Sequence, residues 1–325
     1  MEESILCSVI VPMYNEEAVL DETCRRLTDI MVNSGVSYEI VFVNDGSRDK
    51  TPQLLRAYCE KDNRIKLVDF ARNFGHQVAI TAGMDYAAGQ CMVIIDGDLQ
   101  DPPELIPDMI SLWQSGYDVV YGKRISRKGD TFFKKITAKL FYRMLHSMTE
   151  VNIPVDTGDF RLIDRRVADT LKQLPERSRY VRGLMSWVGF KQTAIEFERA
   201  ERFAGETKYP LKKMIKLAMD GIMSFSYKPL KFASWIGVTI SGISFVYLLI
   251  VLLQRIFMPS STQSGWASLI GVSLFFNGII LLMLGIIGEY IGRIYDEAKG
   301  RPLYIINELK NMEDRESPRY RITKR

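Results

Sequence analysis

The sequence predicts an α/β fold: one domain on a mostly parallel sheet, followed by a C-terminal transmembrane hairpin of two helices. Three observations carry that expectation. From Leu6 to Ile95, short apolar runs alternate with stretches of helical periodicity. Each of the four apolar runs is followed by a polar cluster rich in Asx residues, glycine and carboxylates. Late in the chain, the segment between Lys231 and Glu289 carries no charge other than Arg255.

Leu6–Val11 reads as a buried strand ending at Pro12, and Glu17–Val32 as a helix. Tyr38–Asn44 is a second strand, stopped by Asp45, Gly46 and Ser47. Thr51–Lys61 is helical, Ile65–Phe70 a third strand and Gln77–Ala88 a helix. Cys91–Ile95 is a fourth strand, fully apolar, and Asp118–Tyr121 a further one. Strands alternating with helices of this length form βαβ units whose sheet is covered on both faces. Ligands then bind at the carboxyl ends of the strands. Pro12–Glu17, Asn44–Asp49, Asp69–Gly75 and Asp96–Asp101 all fall there. Beyond them, Thr131–His146 and Tyr209–Tyr227 are helices mixing apolar and basic residues. The second leads into the uncharged segment and suits the membrane surface; the first suits that surface or a solvated face of the domain.

The uncharged segment divides into spans at about 232–257 and 266–288, split by the polar turn Pro259–Gly265. Each holds at least ~20 mostly apolar residues, enough to cross a ~30 Å hydrocarbon core at ~1.5 Å per residue. A hairpin puts both ends of the chain on one side. Lys228 and Lys231 precede it, and Arg293, Lys299 and Arg301 follow it, so the positive-inside rule predicts that both termini are cytoplasmic. The acidic start, Met1-Glu-Glu-Ser4, predicts no secretory leader. The four cysteines, widely spaced and without a CxxC, read as reduced core residues. Net charge is only +4, with basic clusters in Lys123–Arg143, Arg177–Arg182, Arg199–Lys216 and the tail. Beside a membrane hairpin these predict anionic headgroups or phosphate ligands, and no nucleic acid. One apolar stretch of the tail, Leu303–Ile306, can add a strand to a neighbouring sheet.

Asp96-Gly97-Asp98 follows a buried strand. Two carboxylates on such a turn can hold a hard divalent cation, with Gln100 adding an oxygen and Gly97 allowing close backbone approach. Mg²⁺ or Mn²⁺ fits that donor set, with diphosphate oxygens completing the shell. A metal there stabilises a departing nucleoside diphosphate. Asp45, after the second strand, is placed to hydrogen-bond a base or ribose, though Asn44–Ser47 also has the composition of a plain turn.

Four segments, Val11-Pro-Met-Tyr-Asn-Glu16, Val43-Asn-Asp-Gly-Ser47, Ala71-Arg-Asn-Phe-Gly75 and Asp96-Gly-Asp-Leu-Gln-Asp-Pro-Pro103, resemble glycosyltransferase family 2 with its GT-A fold. More narrowly, the chain resembles the polyprenyl-phosphate glycosyltransferases, the bactoprenol glucosyltransferases and dolichol-phosphate mannose synthase. The likeness extends to Asp156-Thr-Gly-Asp-Phe-Arg161, to Arg202-Phe-Ala-Gly-Glu-Thr-Lys208, to the hairpin and to Gly288-Glu-Tyr-Ile-Gly-Arg293. It implies an inverting transfer from a nucleotide sugar to a polyprenyl phosphate at the cytoplasmic face of the bacterial plasma membrane, and allows a homo-oligomer, a tetramer by that resemblance. UDP-glucose or UDP-N-acetylglucosamine is the implied donor, with galactose, aminoarabinose and mannose as alternatives.

On that basis Pro12, Tyr14, Asn15, Glu16, Asp45, Asp69, Asn73, Asp96 and Gly97 are the candidate nucleotide-sugar residues, and Asp96, Asp98 and Gln100 the metal ligands. Arg124, Lys135, Arg202 and Lys208 are candidates for the acceptor phosphate, with Lys134 or Arg127 equal alternatives to Lys135. Asp98, Asp159, Arg124 and Arg202 are the catalytic candidates. Asp159 orients the sugar or acts as base, with Asp156 its competitor. His76 lies beside the Asn73–Gly75 loop, and the chemistry does not demand a histidine. The chain divides into a catalytic domain over 1–208, juxtamembrane amphipathic helices over 209–231, the two spans, and a cytoplasmic tail over 289–325. A processive polysaccharide synthase is a competing reading, set against the lack of a Q-x-x-R-W motif and of more spans. A non-catalytic nucleotide-binding protein is another, set against the intact Asp96, Asp98 and Gln100.

Overall fold

The computed structural model describes residues 5–125, 157–174, 176–177, 179–198, 228–257 and 265–312. The amphipathic helices expected at Thr131–His146 and Tyr209–Tyr227 lie outside them. So do Arg127, Lys134, Lys135, Asp156, Arg202 and Lys208.

Strands β1 (Cys7–Met13), β2 (Tyr38–Asn44), β3 (Ile65–Phe70) and β4 (Cys91–Ile94) form the parallel core of the sheet, with helices α1 (Leu20–Asn33), α2 (Thr51–Lys61) and α3 (His76–Tyr86) between them. Strand β1 runs on past Pro12, where the sequence predicts its end. Proline's fixed φ suits an extended chain, and β2 holds Met13 opposite Asn44. Helix α1 starts three residues later than its periodicity, because the Glu16 carbonyl accepts from the N–H groups of Val19 and Leu20 in a tight turn first.

The second half of the domain adds α4 (Ile106–Gln114), β5 (Val119–Arg124), β6 (Thr157–Asp164), α5 (Arg165–Gln173), α6 (Val181–Trp187) and β7 (Gln192–Phe197). A final strand, β8 (Ile306–Lys310), completes the order β7-β5-β6-β4-β1-β2-β3-β8. Only β6 and β8 run against the rest. Successive residues point to opposite faces. Val9, Val11, Ile40 and Phe42 pack with α1, α2 and α4, while Ile10, Met92, Ile94 and Ile163 pack with α3, α5 and α6. The four cysteines are all buried and form no disulfide.

Two long helices complete the described residues, α7 (Lys228–Phe257) and α8 (Trp266–Ala298). Both are long and apolar enough to cross a membrane by length and composition. Their large apolar side chains, among them Phe232, Trp235, Phe275 and Leu281, are exposed, unlike those of a core helix. Helix α8 continues beyond the apolar stretch into Ala298, and the chain then turns back to the domain. The strand expected near Leu303–Ile306 forms at Ile306–Lys310, and it joins the chain's own sheet, antiparallel to β3. Tyr304 fixes that return. It is fully buried, stacks on Phe70 at 5.2 Å between ring centroids, and donates its hydroxyl to Asp85.

Candidate active site

The polar clusters at the strand ends are joined to one another. Asn15 N–H donates to Ser47 Oγ, and Arg48 N–H donates back to Asn15 Oδ1 at 2.8 Å. Asn15 itself takes a positive φ of 55°, which its short polar side chain tolerates. Asp45 is almost fully buried, and its carboxylate accepts from Phe74 N–H at 2.6 Å and Gly75 N–H at 3.0 Å. Burial pushes its carboxyl pKa up, against the pull of those two N–H groups. Where the sequence places Asp45 on a base or ribose, the structure turns it onto the loop that carries Asn73. Asp69 is likewise enclosed, accepting from Asn44, Arg56 and Asn307. Tyr14 is 44% exposed beside these loops, an open aromatic face at the end of β1. Pro12 lies buried within β1, Glu16 N–H donates to Thr51 Oγ1, and Asn73 Nδ2 donates to the Asp45 carbonyl.

Gly46 makes the loop contact feasible. Its φ is +66°, and a Cβ there would lie 2.5 Å from Asn73 N. Gly46→Ala is therefore expected to push the 72–75 loop off Asp45, at a local cost of about 1–3 kcal/mol. The expected readout is a donor KM raised roughly 10-fold with a smaller change in kcat; unchanged KM and thermal stability would show that the loop tolerates the side chain.

The centre of the site is built by an antiparallel pairing. Strand β4 sets Ile94 opposite Arg161 of β6. Continuing that register two residues brings Asp96 opposite Asp159. His76, the first residue of α3, reaches both: its Nε2 is 3.1 Å from Asp159 Oδ2 and 3.4 Å from Asp96 Oδ1. Arg182 of α6 closes the other side, with Nε 2.7 Å from Asp159 Oδ1 and Nη2 3.1 Å from Oδ2. Arg182 also donates to the Thr157 carbonyl, and Gln77 donates to Asp159 while accepting from Val181 N–H. Asp159 is 5% exposed. Burial alone would raise its carboxyl pKa; the Arg182 charge and the hydrogen bonds from His76 and Arg182 override that and hold it well below the usual range.

Burial works against the imidazolium of His76, but the Asp159 hydrogen bond and the charges of Asp96 and Asp159 lift its pKa to about 9. The ring keeps 43% of its surface open, and water there screens the pairs. Asp96 is pushed up to about 6, first by burial and then, against the opposing charge of His76, by crowding from Asp159, Asp101 and Asp98.

Among the described residues, the group able to offer a metal three close ligand atoms is His76, Asp96 and Asp159, all within 4.8 Å of one another. This differs from the Asp96, Asp98 and Gln100 set that the sequence suggests. Asp98 Oδ1 accepts from Gln100 N–H and so closes its own turn. The buried Leu99 between them takes a positive φ of 57°, a strained conformation for a large apolar residue. Asp96 Oδ1 is enclosed and accepts no hydrogen bond, its nearest partner being the His76 ring nitrogen 3.4 Å away, amid crowded carboxylates. A divalent cation fits that place once His76 gives up its proton, since an imidazolium cannot act as a ligand.

Arg124, at the end of β5, points a guanidinium nitrogen at Asp101, 3.5 Å away. It also lies over the backbone of Gly158, where a Cβ would be 2.7 Å from Nη2. It thus stands next to Asp159 in the chain's fold. Sequence reasoning missed Arg182, and set His76 beside the nucleotide loop without a catalytic role. The signal for both was the charge pairing itself, which appears only once β6 and α6 are folded against α3.

Residues 8–172 match the family described as glycosyl transferase family 2. An uncharacterized glycosyltransferase of Bacillus subtilis is 59% identical over 315 residues, covering 97% of each chain. A prophage bactoprenol glucosyl transferase homolog of Escherichia coli is 40% identical over 303 residues, 93% of this chain and 99% of that protein. Among solved structures, a glucosyl-3-phosphoglycerate synthase from Mycobacterium tuberculosis superimposes with a TM-score of 0.46 at 20% identity, covering 67% of this chain and 78% of that one.

Proposed function

The chain belongs to glycosyltransferase family 2, and on that premise we propose an inverting transfer of a hexose from UDP-glucose or UDP-N-acetylglucosamine to a polyprenyl phosphate, dependent on Mg²⁺ or Mn²⁺. The observation that carries this reading is the convergence of Asp96, Asp159 and His76 at the carboxyl ends of the strands, with Arg182 behind them. The acceptor class is supported by relatives named bactoprenol glucosyl transferase, which match over 93% of this chain.

A phosphate monoester is already ionised near neutral pH, so the attacking oxygen needs little activation. The harder task is to bring an anionic acceptor to an anionic donor. Arg124, 3.5 Å from Asp101 and beside Gly158, is proposed to supply one cation. Lys135, Arg202 and Lys208 are proposed to supply others from residues outside those described. Asp159, fixed on both oxygens by Arg182, is the rigid carboxylate for orienting the sugar or receiving a proton. Asp96, with His76 or with Asp98 and Gln100, would hold the cation. When bound, it supplies electrostatic stabilisation for the departing diphosphate. Tyr14, Asn15, Glu16 and Asn73 line the nucleotide side, while Pro12, Asp45, Asp69 and Gly97 shape the backbone beneath them.

Helices α7 and α8 would set this site above a bilayer, with both chain termini cytoplasmic. A water-soluble donor and a lipid-borne phosphate can meet there.

The test uses membranes or purified protein, Mn²⁺, undecaprenyl phosphate and a panel of radiolabelled nucleotide sugars. Label is expected to move into organic-extractable lipid with one donor. Label found only in water-soluble or polymeric product would overturn the lipid acceptor.

A further inference from the structure

A cleft lies apart from the His76–Asp96–Asp159 group, none of which lines it. At the polar end of α8 this cleft, of about 540 Å³, opens against the loop that follows β3. Arg72 and Phe74 form one wall and Arg177 another. The far wall is the last turns of α8 with the chain that leaves them.

The cleft is built rather than accidental. Arg177 N–H donates to Glu297 Oε1 at 2.7 Å, and its guanidinium donates to the carbonyls of Arg301 and Pro302. Those bonds hold the end of α8 against the catalytic domain. Five cationic side chains line the cleft against three carboxylates. Each carboxylate is engaged locally: Glu289 with Arg293 at 3.2 Å, Asp296 with Lys299 at 3.1 Å, and Glu297 with the Arg177 backbone. The guanidinium of Arg72 rests on the Phe74 ring, 4.5 Å from its centroid. Neither Arg72 nor Arg301 has a carboxylate partner among the described residues. Two guanidinium groups contributed by segments far apart in sequence, in a cavity of net positive charge, suit a phosphoryl anion, whose oxygens take forked hydrogen bonds.

We propose that this cleft binds a phosphoryl group, and that its occupant ties the end of α8 to the loop that leads into His76. Arg72 is four residues from His76, and Asp45 grips the intervening backbone at Phe74 and Gly75. The phosphoryl group can come from a lipid headgroup or from a free anion. The cleft begins at Glu289, directly after the charge-free part of α8, so headgroups can reach its lower rim.

Full-length protein in neutral detergent micelles separates the sources. Phosphorus NMR would follow the line broadening of dioctanoyl phosphatidylglycerol in one titration and of inorganic phosphate in the other. Saturable binding is expected in at least one arm, weakened roughly 10-fold or more by the double substitution Arg72→Gln and Arg301→Gln. Neither substitution breaks an ion pair seen among the described residues, and an unchanged circular dichroism spectrum would verify the fold. Glu289→Gln removes a carboxylate from the rim and is expected to tighten the same binding. Loss in the lipid arm alone identifies a headgroup site; loss in the phosphate arm alone identifies a soluble anion. Affinities that neither substitution moves in either arm would overturn the proposal. The readout is binding, so this result stands apart from that of the sugar-transfer assay.

Discussion

Asp159→Asn is expected to lower kcat/KM for sugar transfer by ~10²–10⁴-fold, the range for losing a positioned acid–base or orienting carboxylate. The substitution keeps the shape and removes the charge. Arg182 and His76 would then be left with Asp96 as their remaining counter-ion. Because the Asp159–Arg182 pair is largely enclosed, stripping one partner should also cost about 3–5 kcal/mol of stability. Two measurements check this, steady-state transfer kinetics and thermal unfolding in detergent. A variant with wild-type kinetics but reduced stability would make Asp159 a structural counter-ion to Arg182 and nothing more.

The same group makes stability depend on pH in a defined direction. Asp159 has its folded pKa depressed, so its contribution is present above the ~4 of a free aspartate and is lost as pH falls through the folded value. His76 has its folded pKa raised to about 9, so its contribution is complete below ~6.5 and is lost as pH rises through 9. Wild-type stability should therefore decline between pH ~6.5 and 9. With 43% of the ring open to water, the slope should be shallower than that of a fully enclosed group. In Asp159→Asn the decline should shrink further, since the strongest support for the imidazolium is gone. An identical slope in both proteins would mean that His76 draws its charge from elsewhere.

The first half of the sheet was legible in the sequence because its strands are continuous apolar runs stopped by Asx and glycine. Tyr38–Asn44, Thr51–Lys61 and Ile65–Phe70 coincide with β2, α2 and β3 to the residue. Strand β6 was legible only as a motif. Its Asp159 and Arg161 are charged residues that no strand pattern places inside, yet both are buried in the fold. They are tolerated because Asp159 meets Arg182 and His76, while Arg161 donates to the Gly158 carbonyl. His76 and Asp159 are 83 residues apart, and only the antiparallel register of β4 with β6 brings them together. The strand ends announced where a ligand would lie. The pairing of charges within that place came from topology, which short-range pattern does not encode. The tail shows the same limit from another direction: Tyr304 looked like part of an edge-pairing strand, and it is the plug that seats β8 on β3.

Removing divalent metal should stop transfer altogether, with Mn²⁺ or Mg²⁺ restoring it. The informative comparison is between two aspartates of one turn. Asp96 offers an enclosed oxygen without a hydrogen bond, and burial, with the neighbouring carboxylates, pushes its own pKa to about 6. Such an oxygen gains from a cation and gives up only the 3.4 Å ion pair with His76. Asp98 already has one oxygen on the Gln100 N–H, so recruiting that oxygen would open the turn that strains Leu99. Asp96→Asn is expected to reduce kcat by ~10²–10³-fold, the effect of losing several kcal/mol of charge stabilisation on the leaving group. It should also weaken Mn²⁺ binding, measured by electron paramagnetic resonance without any sugar donor. Asp98→Ala decides which set holds the ion. If it matches Asp96→Asn in both readouts, the Asp96–Asp98–Gln100 turn rearranges to grip the metal when donor and cation arrive. If it keeps wild-type Mn²⁺ affinity while His76→Ala loses it, the cation sits between β4, β6 and α3. Wild-type turnover in Asp96→Asn under chelation would remove the metal from the reaction and leave Arg124, Arg182 and His76 as the cations that face the diphosphate.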